Sequence, residues 1–139
     1  MNMEVNYCIY TDGSCRASKT GGIGIVWLKN GKKVLEFSKR YDNTTNNQME
    51  LIAIYYALAS IKNNINSLEI ISDSQYSIGV LTNPNWNPKK NKELISRIKK
   101  QLLKTSNLVK EPIKWTHVRG HKDNKYNNLA DSLATNASL

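Results

Sequence analysis

Between Met49 and Ile61 the chain carries a single charge, Glu50. A helix apolar on nearly every side is buried on nearly every side, so the rest of this 139-residue chain must be built around it. The polar cluster Asp42-Asn43-Thr44-Thr45-Asn46-Asn47 ahead of it supplies capping side chains and sets the helix at about residues 47–62. Glu50 falls in its first turn, where the helix dipole favours an anion by about 0.3–1 kcal/mol. That is small beside the cost of burying a carboxylate. Glu50 either caps the helix start or is held there for chemistry, and its place at the head of a buried helix favours the second.

Three other acids sit in comparable surroundings. Residues 5–11 alternate as a strand, with Tyr7 and Ile9 on one face and Cys8 and Tyr10 on the other. Asp12-Gly13 follows, so the strand is expected to end at an acid and a sharp turn. The apolar strand 68–72 ends at Asp73, just before a helix over 74–81. Asp73 is either that helix's N-cap or a second acid at a strand's carboxyl end, where sites form in open α/β sheets. Asp131 borders the apolar stripe Leu129, Ala130, Leu133, Ala134 of a final helix over 128–137.

The remaining elements follow from turn chemistry and periodicity. Residues 16–22, polar and then Gly21-Gly22, read as a flexible connection. A strand over 23–28 meets Asn30-Gly31, a hairpin signal, and a short, polar edge strand over 33–38. A helix over 89–105 has an apolar stripe, Leu94, Ile95, Ile98 and Leu102, and a basic face that includes Lys89, Lys90, Lys92, Arg97, Lys99, Lys100 and Lys104. A fifth strand covers 113–118, with His117 as a structural or edge residue. The loop 119–127 carries His121, placed to swing over a site. The helix from residue 47 returns the fourth strand by a right-handed crossover, which sets it beside the first and makes Asp12 and Asp73 neighbours under Glu50. The whole of residues 1–139 is expected to be one domain.

Twenty Lys and Arg against 11 Asp and Glu give a net charge of +9, which points to a polyanionic partner. The basic helix face then reads as a phosphate-contacting ridge, with the loop residue Trp86 available to a sugar or base. No apolar run is long enough for a membrane span, and no secretion signal precedes residue 5, so the expected compartment is the cytoplasm. Two cysteines, Cys8 and Cys15, make no disulfide framework. Several carboxylates in one pocket cannot all remain ionised without cations. Oxygen-only ligands suit Mg²⁺ or Mn²⁺, and no cysteine–histidine spacing fits zinc. A two-metal site acting at phosphorus is the chemistry this combination allows.

The motifs Tyr10-Thr11-Asp12-Gly13-Ser14-Cys15, Thr44-Thr45-Asn46-Asn47-Gln48-Met49-Glu50-Leu51, Ser72-Asp73-Ser74-Gln75-Tyr76, Val118-Arg119-Gly120-His121 and Asn128-Leu129-Ala130-Asp131-Ser132-Leu133-Ala134 stand in this order. In that order the chain resembles the type 1 ribonuclease H family along nearly its whole length. The resemblance implies an α/β ribonuclease H-like fold with a five-stranded mixed sheet, order 3-2-1-4-5, and helices on both faces. It implies hydrolysis of the RNA strand of RNA–DNA hybrids, leaving 3′-hydroxyl and 5′-phosphate ends, with two Mg²⁺ ions per site and Mn²⁺ as a substitute; a monomer is the default expectation. Carried over, Asp12, Glu50, Asp73 and Asp131 are metal ligands and His121 assists proton transfer or product departure. Ser14, Cys15, Asn46 and Gln75 line the groove for the RNA strand, where the 2′-hydroxyl is sensed. Thr45 and Asn46 hold a phosphate of the DNA strand, and Gly13, Asn43 and Asn127 join the substrate surface.

Three features depart from the family pattern. Asn43 stands where an arginine often supports the phosphate site. The loop 16–20 is short and lacks a usual asparagine. The segment 83–92 is a reduced form of a longer basic protrusion, leaving Trp86, Lys89, Lys90 and Lys92. Hybrid binding is therefore expected to be weaker or more salt-sensitive than in relatives with the full protrusion. The competing readings are a related nuclease acting on other nucleic acids and a hybrid-binding module without catalysis. Asn46 and Gln75 argue against the first, and the full set of acids with His121 against the second.

Overall fold

A computed structural model describes residues 4–119 and 124–139. Its elements are β1 (Asn6–Cys15), β2 (Gly21–Lys29), β3 (Lys32–Tyr41), α1 (Asn46–Ala59), β4 (Ser67–Ser72), α2 (Gln75–Thr82), α3 (Lys92–Ser106), β5 (Lys114–His117) and α4 (Lys125–Ala137). The sheet runs β3-β2-β1-β4-β5, as expected. β1 pairs antiparallel with β2 and parallel with β4, which in turn runs parallel to β5.

Burial explains this order. The first eight residues of β2 are all buried, because the strand is covered on both faces. Ile23, Ile25 and Trp27 enter the large core with Ile9, Met49, Leu51, Ile54 and Ile70. Val26 and Leu28 point to the opposite face, against Ala130, Leu129 and Leu133 of α4. Asn30 and Gly31 both take positive φ, 49° and 85°, the geometry that a two-residue hairpin turn requires.

Several expectations are corrected. β1 does not stop at Thr11. It continues to Cys15 because β2 keeps pairing with it, Asp12 opposite Gly24 and Cys15 opposite Gly21. The sharp turn expected at Asp12-Gly13 is therefore absent. What ends there is the parallel neighbour, whose last pair is Thr11 with Ser72. Gly21 and Gly22 are not a flexible connection but part of β2, where a Cβ on Gly22 would strike α4 at Ala134 and Ala137. The preceding turn is closed by Arg16 N–H donating to the Thr20 carbonyl at 2.9 Å, with Lys19 left-handed. β3 is an edge strand as expected, but ten residues long.

α1 begins at its cap, Thr45, whose hydroxyl accepts from Gln48 N–H. It is less enclosed than its composition predicts. Met49, Leu51, Ala53, Ile54, Ala57 and Leu58 are buried, while Tyr55 is 37% exposed. α3 packs alongside and covers only part of the remaining face. It starts at Lys92, after a left-handed Asn91. α4 starts at Lys125, earlier than expected, because the Asn124 side chain accepts from Tyr126 and Asn127 N–H and caps it. No helix among the described residues is long and apolar enough to cross a membrane.

Candidate active site

The end of β4 opens a step in the sheet beside β1, and three acids occupy it. Asp12 lies on β1 on the face of Cys8 and Tyr10, since side chains alternate. Asp73 follows the last residue of β4. Glu50 enters from the first turn of α1. One carboxylate oxygen from each of the three lies within 4.8 Å of the others. Glycine sets this approach: a Cβ on Gly13 would collide with the backbone of α1 at Met49 and Glu50.

Asp73 is fixed by its neighbours. Ser74 N–H donates to Ser72 Oγ at 3.0 Å, and Ser74 caps α2 through Ser77 N–H. It is thus Ser74, not Asp73, that caps the helix, which leaves the Asp73 carboxylate for the cluster. The Asp73 carbonyl accepts from His117 Nε2 at 3.1 Å, so this edge histidine pins the loop from β5. Sequence reasoning missed both supports, although serines on either side of an acid are a turn signal. Asp12 Oδ1 accepts Gly13 N–H at 2.9 Å.

The electrostatics are those of crowded acids. Asp12 is 4% exposed. Burial, then the charge of Asp73 and a hydrogen bond with Asp131, push its carboxyl up to about 8. Burial, then hydrogen bonding with Asp73 and the charge of Asp12, push Glu50 up to about 12. No Lys or Arg pairs with these acids among the described residues. Glu50 Oε1 and Asp73 Oδ1 are buried and accept no hydrogen bond from any group outside the acid cluster. Buried polar atoms seldom stay unpaired, and all donors here are hard oxygens. The set fits a small divalent cation. Asp131, exposed on α4, is close enough to act on Asp12 but is not within the 4.8 Å set.

The remaining candidates lie on these elements and on the loops that flank them. Ser14 and Cys15 end β1, with Cys15 Sγ donating to the Thr44 carbonyl at 3.4 Å. Asn43 is left-handed and exposed, and Asn46 and Gln75 are the exposed first residues of α1 and α2. Thr44 Oγ1 donates to Gln48 Oε1 at 3.0 Å, and Gln48 Nε2 donates to Asn91 Oδ1 at 3.3 Å. Gln48 therefore ties the loop before α1 to the loop before α3, a link that sequence reasoning did not find. Trp86, 38% exposed, packs its six-membered ring against Gly79 and stands nearly perpendicular to Tyr76, 5.9 Å between ring centroids. Lys89 and Lys90 are exposed, whereas Asn127 is 5% exposed in the first turn of α4. His121 lies outside the described residues.

A sequence model of the RNase H family matches residues 4–139. The chain belongs to the ribonuclease H family. It is 39% identical to a ribonuclease H of Clostridium botulinum, the alignment covering 93% of each chain. It is 38% identical to one of Actinobacillus pleuropneumoniae, over 91% of this chain and 86% of that one. The fold is similar to the crystal structure of RNase H1 from the halophilic archaeon Halobacterium salinarum, with a TM-score of 0.74 and 26% identity, covering 95% and 96% of the two chains. The step beside β1 is thus the acidic centre of a ribonuclease H sheet.

Proposed function

We propose that this protein hydrolyses the RNA strand of RNA–DNA hybrids with Mg²⁺ as cofactor, two ions per site and Mn²⁺ as a substitute, leaving 3′-hydroxyl and 5′-phosphate ends. The observation that carries the reading is the convergence of Asp12, Glu50 and Asp73, two of them with buried oxygens that accept no hydrogen bond from outside the cluster. These three carboxylates would hold the ions, with Asp131 completing the set from α4. When bound, the ions supply charge stabilisation at the entering and leaving oxygens of an in-line displacement.

The chain's own groups position the substrate. Ser14, Cys15, Asn46 and Gln75 stand around the acids as polar contacts for the RNA strand and its 2′-hydroxyl. Thr45 and Asn46, at the start of α1, offer a helix N-terminus to a phosphate of the DNA strand, with Gly13, Asn43 and Asn127 nearby. Lys89 and Lys90 add charge contacts beside Trp86. His121 takes part in proton transfer or product release. We take residues 1–139 as one catalytic domain acting as a cytoplasmic monomer in clearing RNA primers and RNA annealed to DNA.

The test is cleavage of one RNA sequence presented to the protein as a hybrid with DNA, as a single strand, as an RNA duplex and as the equivalent DNA duplex. Each is run with Mg²⁺, with Mn²⁺ and with chelator. Metal-dependent cutting confined to the hybrid and abolished by Asp12→Asn is the expected result. Binding of the hybrid without cutting under either metal overturns the enzymatic reading.

A further inference from the structure

The face of α1 turned away from the acids is open. Beside it lies a cleft of about 420 Å³ between α1 and α3. β3 and α1 line it with Tyr41, Tyr55 and Tyr56, and α3 lines it with Arg97, Lys100 and Lys104. No acid lines it. Its three cations form no ion pair among the described residues. Two of the tyrosines are held in place, since Tyr41 donates its hydroxyl to Tyr56 at 3.1 Å and Lys39 Nζ donates to the same oxygen at 3.4 Å. Tyr55, edge-on to Tyr56, is the freely exposed ring.

The seam has a direction. α1 and α3 run parallel, joined by Gln48 and Asn91 at their starts and by the Thr105 hydroxyl on the Leu58 carbonyl at their ends. The joined starts lie at the end of α1 that carries Glu50. From there Arg97, Lys100 and Lys104 recede along α3 for seven residues, about 10 Å. Three cations in a row can each take a phosphate of one strand. A cationic row facing aromatic rings, with no acid between them, is the arrangement that takes single strands: phosphates on the cations, bases on the rings. A duplex offers no free base faces to Tyr55.

We propose that the α1–α3 seam binds a single-stranded segment of nucleic acid running on from the hybrid, with bases stacked on Tyr55 and phosphates on Arg97, Lys100 and Lys104. The continuity with the hybrid rests on the function proposed above. The binding of a single strand does not.

The experiment uses the full chain with chelator present, so that nothing is cut. A fluorescent oligothymidylate is titrated and amide shifts are mapped by NMR, and hybrids with and without a single-stranded extension are compared by anisotropy. We expect shifts along 52–56 and 94–104, and tighter binding of the extended hybrid than of the blunt one. The triple variant Arg97→Ala/Lys100→Ala/Lys104→Ala should lower the salt slope for oligothymidylate by about 2, from about 0.7 per phosphate. Tyr55→Leu, which keeps an apolar side chain over the cleft, should weaken it about tenfold. Tyr55→Leu should bind the blunt hybrid as the parent does, the triple variant should lose more on the extended hybrid than on the blunt one, and both should keep the parent's thermal unfolding profile. Equal losses on blunt and extended hybrids, shifts confined to the acidic centre, or polyglutamate binding as well as oligothymidylate would overturn the proposal. Failure of the cleavage test with seam shifts intact overturns only the proposed function.

Discussion

Replacing Asp12 by Asn should stabilise the metal-free protein while abolishing its chemistry. In the folded chain Asp12 keeps its proton up to about pH 8, against an ordinary value of 3.8. Below pH 3.8 both folded and unfolded chains are protonated and no difference exists. Above it the unfolded chain releases the proton and the folded one holds it, so stability falls by about 1.4 kcal/mol per pH unit until about pH 8. Over the three units from pH 4 to pH 7 the ceiling is about 4 kcal/mol. Asp12 and Glu50 are both raised and each affects the other's titration, so about 2–4 kcal/mol is the expected range. Asn has the same shape and no charge to release. Urea unfolding in chelator at pH 4, 5.5, 7 and 8 measures the gap between parent and variant. It should be near zero at pH 4 and widen to its full size by pH 8. Adding Mg²⁺ should raise the parent's stability far more than the variant's, because only the parent retains the full ligand set. A gap that stays constant with pH, or a variant less stable than the parent at pH 8, would refute the reasoning.

Glu50→Gln and Asp73→Asn should each lower hybrid cleavage about a thousandfold or more at saturating Mg²⁺, read in single-turnover assays, since each removes one wall of the cation site. Thr105→Val removes the buried hydroxyl that donates to the Leu58 carbonyl at 2.9 Å. It should cost about 1 kcal/mol, or about 4 °C in thermal midpoint, with hybrid cleavage unchanged. Gly79→Ala places a methyl group against the Trp86 ring, and the ring rather than α2 should yield. Acrylamide quenching of tryptophan fluorescence should rise, and an unchanged quenching constant would show that Trp86 is not seated on α2.

The parts of this fold that rest on local chemistry are legible in the sequence. Asn30-Gly31 fixes a hairpin and Thr45 a helix start, and the apolar run from Met49 demands a sheet to lie on. The crossover rule then sets the fourth strand beside the first and brings Asp12 and Asp73 together. What could not be read is what depends on partners distant in the chain. Asp12-Gly13 looks like a turn, because acids and glycines break isolated strands. It is strand here because Gly24 and Ile23 pair across from it. Gly21-Gly22 looks like a flexible connection and is a packing surface, Gly21 against Thr44 and Met49 and Gly22 against α4. Tyr55 sits in an apolar run that reads as buried, yet α3 leaves it uncovered. The support of Asp73 by His117 spans 44 residues, beyond any local signal.

The separation of the acids is itself set by a residue without a side chain. α1 can deliver Glu50 to Asp12 only because its first turn rests directly on Gly13, where a Cβ would meet the backbone at Met49 and Glu50. Backbone on that side cannot swing away as a flexible side chain could. A methyl group must lift the start of α1 and carry Glu50 with it, while leaving every ligand chemically intact. Gly13→Ala should therefore lower stability by about 2–3 kcal/mol, within the range for overpacked cores. It should also weaken Mn²⁺ binding, measured by calorimetry at a temperature where the variant is fully folded. The two losses have different origins, and metal concentration separates them: excess Mn²⁺ should recover cleavage in Gly13→Ala but not in Glu50→Gln, where a ligand is missing and not displaced. If Gly13→Ala binds Mn²⁺ as the parent does, the glycine serves the packing of α1 alone and the acids find their spacing without it.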